Sequence, residues 1–188
     1  MKATVVARTG LIVAAAVLAA PVVVAQDGPT RSIVELTDGL YRAQNNNHHV
    51  TFLVTDEGVI LADTINTEFS EWLKSEIDTR FGVPVRYVLY SHHHWDHANG
   101  GGVFDDTAQF IAHENFPANL ELPPADTDFP ANAAELDANG DGQIDSSEAT
   151  GNFAANLHLY DVDGDGMISG AEATRGALNE VRGPDIVF

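Results

Sequence analysis

Residues 32–63 alternate apolar and polar side chains in the way that paired β-strands do. The alternating segments are residues 33–36, 41–43, 50–54 and 59–62. Asp38-Gly39 and Asp56-Glu57-Gly58 separate them at points where a hairpin reverses direction, and the polar run at residues 44–49 is expected to be a loop. The pattern therefore predicts a run of antiparallel strands.

The period then changes to that of a helix. One face of this helix would carry the apolar side chains of Phe69, Trp72, Leu73, Ile77 and Phe81. Asn66 or Thr67 would cap the helix and Gly82 would end it. Two nearly all-apolar runs follow at residues 85–90 and 108–112, separated by the glycine-rich turn at residues 100–102. We expect the first run to be a strand buried on both faces between helical layers.

The composition changes sharply after Phe116. Residues 117–174 contain twelve acidic side chains and no Lys or Arg, and the Pro-rich residues 122–125 have the composition of a linker. We therefore expect a domain boundary near residue 125. The whole chain has 9 basic and 28 acidic residues, a formal net charge of −19, which argues against nucleic acid as a partner.

The N-terminus has the layout of a secretory signal peptide. Lys2 and Arg8 precede an uncharged run at residues 10–24, and the small residue Ala25 follows. We predict that residues 1–25 are a signal peptide and that the mature protein is periplasmic or secreted. The apolar run is shorter than the roughly 20 residues that span a bilayer, so no stable membrane anchor is expected after cleavage. Because the chain contains no cysteine, any bound metal must use nitrogen and oxygen ligands.

Two twelve-residue acidic segments repeat one spacing of oxygen ligands. The first offers Asp137, Asn139, Asp141, Gln143, Asp145 and Glu148, and the second offers Asp161, Asp163, Asp165, Met167, Ser169 and Glu172. In an EF-hand loop, side chains at positions one, three and five converge on Ca²⁺, position seven offers its carbonyl and the final Glu closes the site with both oxygens. The spacing predicts two calcium sites within residues 126–180.

Only residues 149–160 separate the two loops, enough for one helix shared by both. This compact spacing also resembles dockerin modules, with Ser146-Ser147 where dockerins present recognition residues. Glu at position twelve fits an EF hand better. In an exported protein we expect the calcium to be structural, because extracellular calcium is plentiful.

A histidine cluster directly follows the first apolar run. His92, His94, Asp96 and His97 spell H-x-H-x-D-H. A tight turn would let His92 and His94 face one metal while Asp96 and His97 face a second, about 3.5–4 Å away. Imidazole and carboxylate suit Zn²⁺, and a zinc pair activates water for attack on an acyl or ester bond. The motif predicts one or two zinc ions.

This motif and its flanks over residues 32–116 resemble the metallo-β-lactamase superfamily. The resemblance implies a zinc-dependent hydrolase acting on a small molecule with a hydrolysable acyl or ester bond. It implies that Asp96 both binds the second zinc and orients the nucleophile, which makes it the catalytic residue, and that Asp63 supports the motif loop. His48, His49, His113 and His158 match no ligand position and are expected to be ordinary polar residues.

The family's fold is a four-layered αββα sandwich of two similar halves, and the second half supplies the remaining zinc ligands. Those ligands cannot be placed in this sequence. We therefore predict an α+β chain: the first half of the sandwich at residues 26–125, an inserted helical EF-hand pair at 126–180 that stiffens or covers the active-site rim, and the start of the second half at 181–188. One sheet face would be uncovered, which favours dimerisation if the second half is absent. The alternative is a non-catalytic calcium-binding protein, EF-hand or dockerin-like, with a remnant hydrolase half.

Overall fold

The computed structural model describes residues 28–188, so the predicted signal peptide lies outside the described residues. The chain has the predicted α+β class, with a seven-stranded mixed sheet and a separate two-stranded sheet. The large sheet contains β1 (Arg31–Thr37), β2 (Leu40–Asn45), β3 (His48–Thr55), β4 (Gly58–Ala62), β5 (Val85–Leu89), β6 (Gln109–Ala112) and β9 (Ile186–Val187), and the small one contains β7 (Gln143–Ile144) and β8 (Ile168–Ser169). The helices are α1 (Thr67–Phe81), α2 (Trp95–Ala98), α3 (Gly151–Ala155), α4 (Leu157–Tyr160) and α5 (Gly170–Arg175). Within residues 28–188, no helix combines the length and the apolar character that crossing a bilayer requires.

The large sheet follows the order of the chain, β1-β2-β3-β4-β5-β6-β9. The first four strands are antiparallel neighbours joined by hairpins, as the alternating pattern predicts. The loop expected at residues 44–49 is wrong, because Gln44 and Asn45 pair with His49 and His48 and leave only a two-residue turn. The crossover through α1 then makes β5 parallel to β4, and β6 is parallel to β5. Because the C-terminal ends of β4 and β5 lie at the same edge of the sheet, the turns that follow these two strands meet there.

Helix α1 begins and ends where its sequence predicts. The Asn66 side chain accepts a hydrogen bond from the Phe69 N–H, which satisfies a free donor of the first turn. Gly82 takes the left-handed conformation, with φ 65°, that lets its N–H bond the Asp78 carbonyl. Phe69, Leu73 and Ile77 are fully buried in the main core. Burial of this stripe against the sheet fixes the helix over one face.

The other face of the sheet is open, and the prediction for β5 is wrong in this respect. Val85 and Val88 are buried, but Tyr87 and Leu89 are 39% and 37% exposed. The nearly all-apolar sequence predicts burial on both faces, yet among residues 28–188 only the face under α1 is covered at this strand. Leu53 shares the open face and is also exposed, in agreement with the uncovered face that the sequence predicts.

The acidic region lies in the connection between two neighbouring parallel strands. Strand β9 pairs with β6 through Ile111 and Ile186, so residues 113–185 form one long excursion that leaves the sheet and returns to it. Asp185 anchors the return, since its carboxylate accepts hydrogen bonds from the Phe110 N–H at 2.9 Å and from Arg182 at 2.7 Å. These two bonds hold the pKa of Asp185 below its ordinary value. Residues 181–188, where the sequence predicts the start of a second half, thus contribute strand β9 to the large sheet.

The excursion folds around a small core of its own. This core comprises Ala133, Ile144, Ala149, Phe153, Leu159, Tyr160, Ile168, Ala173 and Ala177. The single helix predicted between the loops is wrong, because two short helices, α3 and α4, meet at Asn156. The Asn156 amide donates to the backbone carbonyl and to the side-chain oxygen of Asn152, at 3.1 and 2.7 Å. Such side-chain bonds compete with continuation of the helix.

Candidate metal centres

The histidine motif occupies the turn between β5 and α2, at the sheet edge where β4 also ends. His94 caps α2, whose four residues include Asp96 and His97. The ring centroid of His92 lies 4.6 Å from that of His94 and 4.3 Å from that of His97. Asp96 Oδ2 lies 3.9 Å from His97 Nε2. The structure therefore brings the four residues of the predicted zinc motif into one cluster.

Asp63 supports this cluster from behind. Its Oδ1 accepts a hydrogen bond from the Ser91 N–H at 2.8 Å, and its Oδ2 accepts one from the Ser91 hydroxyl at 2.7 Å. The same Oδ2 lies 3.1 Å from His97 Nδ1. A carboxylate beside Nδ1 favours the tautomer with the proton on that nitrogen and leaves Nε2 free as a ligand. These contacts match the loop-supporting role that the family resemblance implies for Asp63.

Ser91 extends this support to a second imidazole. The Ser91 Oγ lies 2.9 Å from His92 Nδ1, so with its own proton donated to Asp63 it can accept the Nδ1 proton of His92. Burial lowers the pKa of His92, and the neighbouring His97 and His94 rings lower it further. His92 is therefore held neutral to lower pH than a free histidine, and the neutral imidazole is the form that binds metals.

The turn that carries Asp63 has an unusual backbone. Asp63 and Ile65 have φ values of 64° and 67°, in the left-handed region, which costs a residue with a side chain about 1–3 kcal/mol. Several hydrogen bonds join this turn to the end of the histidine motif and to the residue after α2. The N–H groups of Thr64 and Ile65 both bond the His97 carbonyl, and the Thr64 hydroxyl donates to the Asn99 carbonyl at 2.7 Å. The turn is thus fixed to the C-terminal end of helix α2.

One residue that contacts the motif in space could not be predicted from the sequence. His48 Nε2 lies 3.3 Å from Asp96 Oδ2, although His48 was expected to be an ordinary polar residue. It opens β3 on the face that also buries Val50 and Phe52, whereas the adjacent His49 is exposed on the other face. Nothing in the local sequence marks His48, because its contact depends on how the sheet folds over residues 48–96.

The donor chemistry of the cluster suits zinc: three imidazoles, two of them supported at Nδ1, and a neighbouring carboxylate. The geometry is less complete. In the part of the chain that the structure describes, one group of three His, Cys, Asp or Glu ligand atoms lies within 4.8 Å of one another, and it is formed by Asp161, Asp163 and Asp165. The histidine motif brings its three imidazole rings together, but its ligand atoms do not form a group in which all lie within 4.8 Å of one another.

In the second acidic loop, three carboxylates do place their ligand atoms within 4.8 Å of one another. The three carboxylates lie in positions one, three and five, where an EF hand binds Ca²⁺. Asp161 shapes the loop by accepting the N–H groups of Gly164 and Gly166, at 2.7 and 2.9 Å. Gly166 has a φ of 85°, which explains why glycine occupies the turn position.

The first loop has the same conformation. Asp137 accepts the N–H groups of Gly140 and Gly142, and Gly142 again has a φ of 85°. Asn139 Oδ1 accepts the Asp141 N–H at 2.8 Å, and the Asn139 amide donates to the Asp141 carboxylate. The two loops pair through β7 and β8, with the predicted ligand Gln143 opposite the predicted ligand Ser169 and with Ile144 opposite Ile168. Met167 precedes this pair in the second loop.

The closing glutamates turn back onto their own loops. Glu148 accepts the N–H groups of Ala138, Asn139 and Asp145, each at 3.1–3.3 Å. Glu172 accepts those of Val162 and Ser169, and only 4% of it is exposed. Each carboxylate therefore joins the start of a loop to its end. In the first loop the side chain of Ser147 bonds Asp145 and holds the pKa of that carboxyl below its ordinary value, which favours the ionised form.

Residues 134–148 match the EF-hand family. The match covers the first loop up to its closing Glu148, so the second loop is supported by its own ligand spacing and geometry. Among curated proteins nothing matches this chain.

Among solved structures, similarity to metallo-β-lactamases recurs. The enzyme from Hirschia baltica is 15% identical over 47% of this chain and 45% of its own, with a TM-score of 0.43. The enzyme from Pontibacter korlensis is 21% identical over 46% of this chain and 45% of its own, with a TM-score of 0.42. A subclass B3 enzyme of Bradyrhizobium japonicum is 27% identical over 50% of this chain and 37% of its own, with a TM-score of 0.43. The chain thus spans less than half the length of these enzymes.

Proposed function

We propose that this chain is part of an exported, zinc-dependent hydrolase of the metallo-β-lactamase superfamily, and that it carries a calcium-binding EF-hand pair. The observation that carries the proposal is the clustering of His92, His94 and His97 in front of one carboxylate, Asp63. The substrate class is a small molecule with a hydrolysable acyl or ester bond.

Each residue of the cluster would have a separate role in metal binding or catalysis. His92 and His94 would hold one zinc ion, and Asp96 and His97 the second. When bound, zinc supplies Lewis acidity and makes water nucleophilic near neutral pH. Asp63 would keep the Nδ1 proton in place on His97 directly and on His92 through Ser91. Asp96 would orient the attacking water, and His48 would hold Asp96 in place by its contact at 3.3 Å.

The two acidic loops would each hold one Ca²⁺ in a structural role. Residues 117–174 contain no Lys or Arg, so the loop carboxylates have no cationic side chain within that region to neutralise them. Extracellular calcium modules commonly bind at about 10⁻⁴–10⁻³ M, where calcium outside the cell would keep both loops filled.

One observation favours the alternative of a calcium-binding protein without catalysis. In the described residues the closed set of ligand atoms belongs to the second acidic loop, not to the histidine motif. Zinc titration by calorimetry in saturating calcium separates the two functions. We expect one or two zinc ions per chain, and then hydrolysis of a lactam, lactone, thioester or phosphodiester that a zinc chelator abolishes. A protein that binds calcium alone would support the alternative.

Replacing Asp63 by Asn is expected to weaken zinc binding by about 10–100-fold, the usual effect of changing the partner behind a metal-bound histidine. Asn tolerates the left-handed backbone that Asp63 adopts, so the turn should keep its conformation. The measurement is zinc affinity by competition with a chromophoric chelator, beside the thermal midpoint. The matched control is Asp56→Asn in an exposed hairpin turn. A zinc affinity within twofold of the parent would show that the Asp63 charge does not support the ligands.

A further inference from the structure

Trp95 belongs to the histidine motif in sequence and to the EF-hand core in space. Its neighbours in the chain, His94 and Asp96, are predicted zinc ligands, yet its side chain packs against the core built around Ile144 and Ile168 rather than against the core of the large sheet. Helix α2 has only four residues. The same helical turn therefore carries the predicted zinc ligand Asp96 and places Trp95 against the EF-hand core.

A second connection lies at the end of α2. Asn99 is 1% exposed, and its amide donates to the Ala177 carbonyl at 3.0 Å. The Asn99 backbone pairs with Val181, and the Gly100 N–H donates to the Glu180 carbonyl at 3.1 Å. Residues 177–181 follow α5, the helix that contains the closing glutamate of the second loop. The segment directly after the histidine motif is therefore held by the segment directly after the second calcium loop.

Asn179 links that segment to the loop itself. Its side-chain amide donates to the carbonyls of Asp161 and His158, and its own N–H donates to the Leu159 carbonyl at 3.1 Å. Asp161 is the first ligand of the second loop. The path from a calcium ligand to Gly100 thus consists of Asn179 and Glu180, which are adjacent in the chain.

We propose that calcium binding at the second loop raises the affinity of the histidine motif for zinc, through Trp95 and through the Asn179–Glu180 contact. This coupling rests on the proposed function, because it requires that the motif bind zinc. Trp95 and Asn179 act as positioning residues, and neither is a metal ligand. Coupling is reciprocal, so zinc must raise the calcium affinity of the second loop by the same factor.

The physical cause is the charge of the empty loop. Asp161, Asp163 and Asp165 hold ligand oxygens within 4.8 Å of one another, so their charges repel until a cation binds. Calcium removes this repulsion and stabilises the loop together with α5, residues 177–181 and the core beneath Trp95. The same contacts then restrict α2 to the orientation that presents Asp96 and His97 to the metal.

The test measures Co²⁺ affinity of the full chain from the visible absorption of the histidine-bound ion, in calcium-free buffer and in saturating calcium. We expect calcium to tighten Co²⁺ binding by about 5-fold or more, within the usual range of coupled sites. Trp95→Ala and Asn179→Ala should each reduce this enhancement towards onefold. Trp95→Phe should restore most of it. The matched control is Trp72→Ala on α1, which removes a partly buried tryptophan packed against the other core and should keep the full enhancement.

Because the chain has two tryptophans, Trp72→Phe leaves Trp95 as the sole reporter of fluorescence. Its emission should shift to shorter wavelength as calcium saturates the second loop, whether or not a transition metal is present. Equal Co²⁺ affinities with and without calcium would overturn the coupling and leave the proposed zinc site standing. Absence of Co²⁺ binding in both buffers would overturn the zinc site and the coupling together. An emission spectrum unchanged across the calcium titration would overturn the contact through Trp95.

Discussion

Replacing Glu148 and Glu172 together by Gln is expected to abolish tight calcium binding and to unfold residues 130–175. Each glutamate closes its loop, and Gln supplies one neutral oxygen in place of a charged bidentate ligand. The core beneath the loops is small, and four of its nine buried members are alanines. Such a core cannot offset the repulsion among the loop carboxylates when calcium is absent. Calcium at 100 times its Kd would stabilise each site by about 2.7 kcal/mol.

Thermal unfolding followed by circular dichroism checks this prediction. The parent should lose stability when EDTA removes calcium, and the double variant should melt at the same low temperature with and without the chelator. Glu121→Gln with Glu135→Gln removes the same charge from two exposed acidic residues outside the loops, and this control should respond to EDTA as the parent does. A double variant that calcium still stabilises as strongly as the parent would show that the loops have no structural role.

Replacing His92 and His94 together by Ala is expected to abolish zinc binding and any zinc-dependent hydrolysis. The double variant removes the two histidines that we propose to bind the first zinc, so the loss should exceed the roughly 10–100-fold effect of changing an outer partner such as Asp63. Calcium affinity measured in zinc-free buffer should stay at the parental value, because the calcium ligands all lie between Asp137 and Glu172. Zinc content, substrate turnover and calcium titration are the three readouts.

The control for that variant is His49→Ala with His158→Ala, which removes two exposed histidines outside the motif. It should keep the zinc content of the parent. Retention of stoichiometric zinc by the His92 and His94 double variant would place the zinc elsewhere. Loss of calcium binding in zinc-free buffer would contradict the separation of the two sites.

Features specified by short stretches of sequence could be predicted. The four antiparallel strands follow from residues of alternating polarity, and α1 follows from its apolar stripe, its Asn66 cap and Gly82. The acidic loops follow from ligand spacing within twelve residues, and the clustering of His92, His94 and His97 follows from a single turn. In each case the interacting residues are close in sequence.

Features that depend on distant contacts could not be predicted. Whether Tyr87 and Leu89 are buried depends on what covers their face of the sheet, which a run of apolar residues does not reveal. The division of the helix between the loops at Asn156 is an exception, since it involves a local side-chain bond to Asn152 that the spacing of the two loops does not reveal. Trp95 reads as one more apolar residue in the motif, and its place in the EF-hand core depends on residues 133–177 folding against α2.

Metal content by mass spectrometry tests whether this chain holds calcium in its acidic loops and zinc in its histidine motif. The purified protein is first dialysed against trace zinc and millimolar calcium. We expect two calcium ions and one or two zinc ions per chain. Two calcium ions without zinc would contradict the hydrolase site and favour a calcium-binding protein with a remnant hydrolase half.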